Sequence, residues 1–234
     1  MQLNSLKKPK IFLSIFFCFS SIFLAVFWIF KADFSANATV HYDSFIVVID
    51  AGHGGIDGGV NGKNSKVKES DLNLDIAKKL KDEFEKVGVS VIMTRSSFGG
   101  LYGTTAKGFK KRDLQKRIDI INGANADAMI SIHLNYFSSP LARGATTFFK
   151  DGNQKSKALA QSIQLYFNSS SGQTRELSAL KGDYYLLNQA NCPSVICECG
   201  FLSNEEEEKL LLLESYRQEI ATLIFKGTIA YLLS

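Results

Sequence analysis

Only four cysteines stand among the 234 residues, too few to build a fold from disulfides, so an apolar core must do the folding. Proline is scarcer still, at three, and mean hydropathy is close to zero, which excludes wholesale disorder and collagen-like repeats. Basic surface is lacking as well. Of the formal +4 charge, Lys7, Lys8, Lys10 and Lys31 against the single acid Asp33 account for +3 before residue 39. About +1 is left on residues 39–234, so there is no basic face for nucleic acid. No Gly-x-Ser-x-Gly elbow is present, which disfavours a serine hydrolase. No Gly-Lys-Ser/Thr follows the glycine cluster at residues 52–59, so it is not a phosphate loop. Histidine is limited to three residues, and His41 lies in a linker.

What is present begins with an uncharged apolar run, residues 11–30. At about 1.5 Å per residue it reaches roughly 30 Å, the thickness of a hydrocarbon core. Three lysines precede it and hold the N-terminus in the cytoplasm, sending the remainder outside. A cleaved signal peptide is the alternative, with Ala36-Asn37-Ala38 as its cleavage site, although the run exceeds the usual 7–15 residues of a signal segment. Residues 1–38 therefore read as an anchor or signal segment with its linker, and residues 39–234 as one exported domain. The protein is expected outside the cytoplasm, anchored to the membrane through residues 11–30 or released.

Within that domain, apolar runs bounded by turn residues predict strands at 45–50, 89–94, 128–133, 145–149, 184–187 and 194–199. The strand at 145–149 is expected near an edge. Helical spacing predicts helices over 70–87, 113–122 and 155–167, and a helical C-terminus opened by a capping box at Ser203-Asn-Glu-Glu206. Strands alternating with helices imply βαβ units. The expected fold is a three-layer α/β/α domain on a mostly parallel six-stranded sheet.

Ligands bind such sheets at the carboxyl ends of the strands, and four polar residues fall there. His53 follows the first strand, Glu69 precedes the first helix, His133 ends the third strand and Glu198 the last. Alone, each has an ordinary explanation: a glutamate at a helix start complements the dipole, and a histidine at a strand end can be a core residue. Together, two imidazoles and a carboxylate with an open fourth position are the ligand set of a catalytic zinc. A further carboxylate, Glu198, suits the acid/base that moves a proton from water to a leaving nitrogen. Arg95, ending the second strand, can reach a substrate carboxylate, the site's own carboxylates or a structural salt bridge. Asn135 can orient substrate or simply form a turn. The glycine-rich loop at 96–111 reads either as a substrate-binding lid or as solvated chain.

The motifs Ile49-Asp-Ala-Gly-His-Gly-Gly-Ile-Asp-Gly-Gly59, Met93-Thr-Arg95, Ser131-Ile-His-Leu-Asn135 and Glu198-Cys-Gly-Phe-Leu-Ser-Asn204, with Glu69 before a helix, resemble the zinc-dependent N-acetylmuramoyl-L-alanine amidases over about residues 45–233. The resemblance implies cleavage of the amide between N-acetylmuramic acid and L-alanine of peptidoglycan. It makes His53, Glu69 and His133 the ligands of one zinc per chain and Glu198 the catalytic acid/base. Lys107 to Arg117, Gly144-Ala-Thr-Thr-Phe148 and Thr174-Arg-Glu176 are similar to the germination-specific amidases of spore formers, which implies a role in forming muramic-δ-lactam in the spore cortex. The chain departs from the family in placing Cys197 and Cys199 around Glu198, where strand alternation sends both thiols to the opposite face. A thiolate zinc site with Cys192 nearby is the competing reading. The stretch between His133 and Glu198 is too short for the inhibitory helical insertion of some division amidases. An activating protein partner of unknown identity, a zinc carboxypeptidase or endopeptidase on stem peptides, and a non-catalytic wall-binding regulator remain open alternatives.

Overall fold

The computed structural model describes residues 44–234; the readings of residues 1–38, including the apolar run at 11–30, lie outside them. Among the described residues no helix is long and apolar enough to cross a membrane.

Six strands form one sheet: β1 (Ile46–Ala51), β2 (Ser90–Met93), β3 (Ala128–Asn135), β4 (Thr146–Phe149), β5 (Leu180–Lys181) and β6 (Ser194–Phe201), in the order β2-β1-β3-β6-β4-β5. All neighbours are parallel except β4, which runs antiparallel to β6. The described helices are α1 (Glu69–Glu85), α2 (Phe109–Gly123), α3 (Gln154–Phe167), α4 (Tyr185–Gln189), α5 (Glu205–Leu212) and α6 (Glu214–Leu232). The expected three-layer α/β/α fold on a mostly parallel six-stranded sheet is the observed one.

Strand alternation divides the core in two. Val47, Ile49, Ala51, Ile130, Ile132, Val195, Cys197 and Cys199 pack with Leu80 and Phe84 of α1, Leu159 and Ile163 of α3, and Ile220 and Ile224 of α6. The intervening residues Val48, Met129 and Ile196 pack against Ile118 and Ile121 of α2 and Leu186 and Leu187 of α4. That second cluster is much the smaller. The sheet is thinly covered on the face to which His133 and Glu198 point by the same alternation.

Several boundaries differ from expectation. Tyr184 to Leu187 is not a strand: Tyr184 is extended and caps α4, which buries Leu186 and Leu187. A four-residue apolar run fits both periodicities, and here packing against α2 decides for the helix. The outermost strand is instead β5, two exposed residues paired to β4, so β4 is interior to it. Helix α2 begins at Phe109, not Asp113, after Gly108 in the left-handed region at φ 83°. Its basic first turn opposes the helix dipole and hides the start. Helix α1 begins at Glu69, so that residue belongs to the helix. The N-cap of α5 is Asn204, whose Oδ1 accepts the Glu206 and Glu207 amides, while Ser203 Oγ accepts the Phe137 amide. Two of the four glutamates that follow are buried. Glu207 accepts the amides of Gly144 and Phe201, and Glu208 those of Asn64 and Ser65.

Candidate functional site

The carboxyl ends of β1 and β3 bring three of the expected residues together. His53 Nε2 lies 3.3 Å from Glu69 Oε1, and His133 Nδ1 lies 3.1 Å from the same oxygen. The two imidazole rings meet edge to face at 4.9 Å. One donor atom from each of the three residues lies within 4.8 Å of the others, close enough to share one metal ion. Among the described residues this is the group so arranged, and no cysteine belongs to it.

Two of the three side chains, Glu69 and His53, are held from behind. Glu69 is buried; its Oε2 accepts the Val60 amide and its Oε1 the Leu134 amide and Asn73 Nδ2. Burial alone would raise the Glu69 carboxyl, but hydrogen bonds from the two histidines hold it well below the usual carboxylate range. His53 Nδ1 faces Asp57 Oδ2 at 3.1 Å, leaving Nε2 toward the centre. Burial would lower the His53 imidazole, and the Glu69 and Asp57 carboxylates together raise it. A histidine whose far nitrogen is bound to a carboxylate is the usual supporting arrangement for a metal ligand.

Glu198 sits opposite His133 in the β3–β6 pairing. Its Oε2 has no hydrogen-bond partner among the described residues. Burial, and then the nearby Glu69 charge against the pull of His133 and His53, leaves its carboxyl raised above its ordinary value. Such a group holds a proton more readily than a surface glutamate. A cavity of about 220 Å³ adjoins the histidines, lined among others by Tyr102, Phe109, Lys110, Leu114 and Leu186.

The remaining expected residues lie differently. Arg95 is 4% exposed and makes no salt bridge among the described residues; it donates to the carbonyls of Ala51, Gly52, Ser70 and Ser97. Its guanidinium is occupied by main chain and is not offered to a substrate. Asn135 Oδ1 accepts the amide of Tyr136, a turn-forming contact. The 96–111 loop is tied down: Phe98 O accepts the Gly55 amide, and the guanidinium of Arg112 binds the carbonyls of Tyr102, Thr104, Ala106 and Lys107. Cys192, Cys197 and Cys199 are free and buried, and burial pushes all three thiols up.

Sequence reasoning missed Asp57, Asn73 and the pair Asp50–Arg117. Two of these had a visible signal, since Asn73 lies one helical turn beyond Glu69 and Asp113 one turn before Arg117. Asp50 is fully buried within β1 and accepts from Arg117 Nη1 at 2.7 Å and from the hydroxyls of Thr94 and Ser131. Burial would raise its carboxyl, but Arg117, Ser131 and Thr94 outweigh it and bring it down to about 2. Because the folded value lies below the unfolded one, the stabilisation is complete above about pH 4 and is lost as pH falls toward 2. Its size is on the order of 2 kcal/mol. In urea titrations the stability gap between wild type and Asp50→Asn is therefore expected to be widest at pH 5 and to shrink at pH 2.5. A gap independent of pH would show that Asp50 is not held ionised.

Comparison with known proteins gives one consistent result. A family model described as N-acetylmuramoyl-L-alanine amidase matches residues 47–230. A germination-specific N-acetylmuramoyl-L-alanine amidase of Bacillus subtilis is 34% identical over 218 residues, 89% of this chain and 91% of that protein. The N-acetylmuramoyl-L-alanine amidase AmiA of Escherichia coli is 29% identical, over 80% of this chain and 75% of that one. Among solved structures, the CwlD amidase of Clostridioides difficile, in complex with the GerS lipoprotein, superposes with a TM-score of 0.77 at 40% identity. It covers 81% of this chain and 98% of that one.

Proposed function

Because the chain belongs to the N-acetylmuramoyl-L-alanine amidase family and is a peptidoglycan hydrolase of that activity, we propose that His53, Glu69 and His133 hold one zinc ion per chain and that Glu198 is the catalytic acid/base. The observation that carries this reading is the meeting of two imidazoles and a buried carboxylate within 4.8 Å, beside a carboxylate with an unpartnered oxygen. The donor set fits zinc, and the buried thiols face the core instead. When bound, zinc lowers the pKa of water to about 7 and polarises a carbonyl oxygen.

The chain's own groups supply the rest. Asp57 fixes the ring of His53, and the Val60 and Leu134 amides fix the carboxylate of Glu69, so the pocket for the ion is built in advance. Glu198, on the strand beside His133, takes the proton of the attacking water and delivers it to the nitrogen of L-alanine as the amide breaks. Its raised affinity for a proton serves the second half of that task. The 220 Å³ cavity beside the histidines offers apolar walls to the substrate.

The likeness to the germination-specific relative supports spore-cortex peptidoglycan as the substrate. The solved relative in complex with a lipoprotein supports a protein partner of that kind. Residues 11–30 would carry the domain to the outer face of the membrane. The test is metal content and product mass of the full chain in detergent, incubated with cortex and with vegetative peptidoglycan. One zinc per chain and release of intact stem peptides with free L-alanine amino termini are expected, faster from cortex. Release of single terminal amino acids would establish a carboxypeptidase instead. A folded chain with neither zinc nor product, even with zinc in excess, would leave two readings, dependence on such a partner or a wall-binding protein.

A further inference from the structure

His53 is one of three non-glycine residues with positive φ among those described, at 62°, and Gly54 and Gly55 continue the left-handed path at 133° and 64°. That conformation is disfavoured for an L side chain, so the surroundings must favour it. The three carbonyls leading through it are all gripped by buried guanidinium groups. Ala51 O accepts Arg95 Nε and Arg117 Nη1, both at 2.7 Å. Gly52 O accepts Arg95 Nη2 at 2.9 Å, and His53 O accepts Arg117 Nη2 at 2.6 Å. Arg117 is 2% exposed and anchored by Asp50 and Asp113. Arg95 reaches further: its Nη2 also donates to Ser70 O, in the first turn of the helix that carries Glu69.

We propose that Arg95 and Arg117 are positioning residues for the metal site, a pair of planar forks that set the backbone of His53 and its spacing from Glu69 before any metal arrives. The proposal rests on the reading of His53 and Glu69 as zinc ligands. Arginine suits the task because its donors diverge in one rigid plane and can bind carbonyls of successive residues at once. A lysine offers a single flexible ammonium in the same volume. It keeps a positive charge, at position 117 the one opposite Asp50, while releasing at least one of the three carbonyls.

The experiment measures zinc affinity by chelator competition, together with the urea midpoint of the zinc-free protein, for the full chain carrying Arg95→Lys or Arg117→Lys. A control, Phe84→Leu, loosens the core at the end of α1 farthest from Glu69. Both arginine variants are expected to weaken zinc binding by about 10–100-fold, while the control loses stability and keeps its affinity within about twofold. Arginine variants that shift zinc affinity no more than the control would overturn the proposal. If they fail to fold, the wild-type chain decides by itself: the Arg95 and Arg117 Nε–H protons should resist exchange in the zinc-free protein. Free exchange that stops only on adding zinc would mean that the metal builds the loop, and the proposal falls. Failure of the underlying reading looks different, as a wild-type chain that binds no zinc while those protons stay protected.

Discussion

Replacing Glu198 by Gln is expected to leave zinc affinity close to wild type and to lower turnover on peptidoglycan by about 10²–10⁴-fold, a barrier increase of roughly 3–5 kcal/mol. The substitution conserves volume and removes only the ability to take and return a proton. Glu198 lies outside the His53, Glu69 and His133 group, so the proposed ligand set is left intact by the substitution. Its stability effect should run the other way. Glu198 Oε2 is buried without a partner among the described residues and near the like charge of Glu69, and a neutral amide avoids that desolvation cost. A Glu198→Gln protein that melts at the same temperature or higher, binds zinc and is nearly inactive would mark the residue as acid/base. Zinc loss in proportion to activity loss would make it a ligand instead, and unchanged turnover would remove it from the chemistry.

The parts of the fold legible in the sequence are those where one physical effect dominates. Val47 to Ile49 and Val195 to Cys197 are buried on both faces, so short continuous apolar runs announce their strands. Helix α1 shows its spacing because one long face packs on β1, β3 and α6. Legibility ends where a neighbour decides. Leu180 and Lys181 are exposed and become a strand only by pairing with β4. Tyr185 to Gln189 becomes a helix because Leu186 and Leu187 meet Ile118 and Ile121.

The site divides the same way. That His53, Glu69 and His133 would meet was legible because metal chemistry restricts the residue types and the fold restricts their places. Their supports were not, since Arg95 and Arg117 act on backbone carbonyls, and a carbonyl is present at every position. An arginine near a site suggests a substrate anion in sequence. Only the geometry shows that its donors are already taken.

The second large effect is expected from the smallest substitution, Gly52→Ala. Gly52 is not in the left-handed region, so its backbone accepts alanine without strain. A Cβ there would instead overlap the ring of His133, meeting its Cε1, Nε2 and Cδ2 atoms. The main chain cannot retreat easily. The Gly52 amide donates to Ile132 O at 3.0 Å, and its carbonyl accepts from Arg95 and Asn73. The imidazole must therefore turn away, leaving His53 and Glu69 with two donors where three are needed. Zinc affinity is expected to fall by more than about 100-fold, exceeding the loss from a supporting residue, while overpacking costs only about 1–3 kcal/mol of stability. Gly123→Ala provides the contrast. It lies at the end of α2 with nothing within 4 Å of an added Cβ, and should stabilise the protein by up to about 1 kcal/mol with zinc binding intact. Chelator competition on both variants, with circular dichroism to confirm folding, separates the outcomes. A Gly52→Ala chain that keeps wild-type zinc affinity would show that His133 does not ligate from this position, and the site would have to find its third ligand elsewhere.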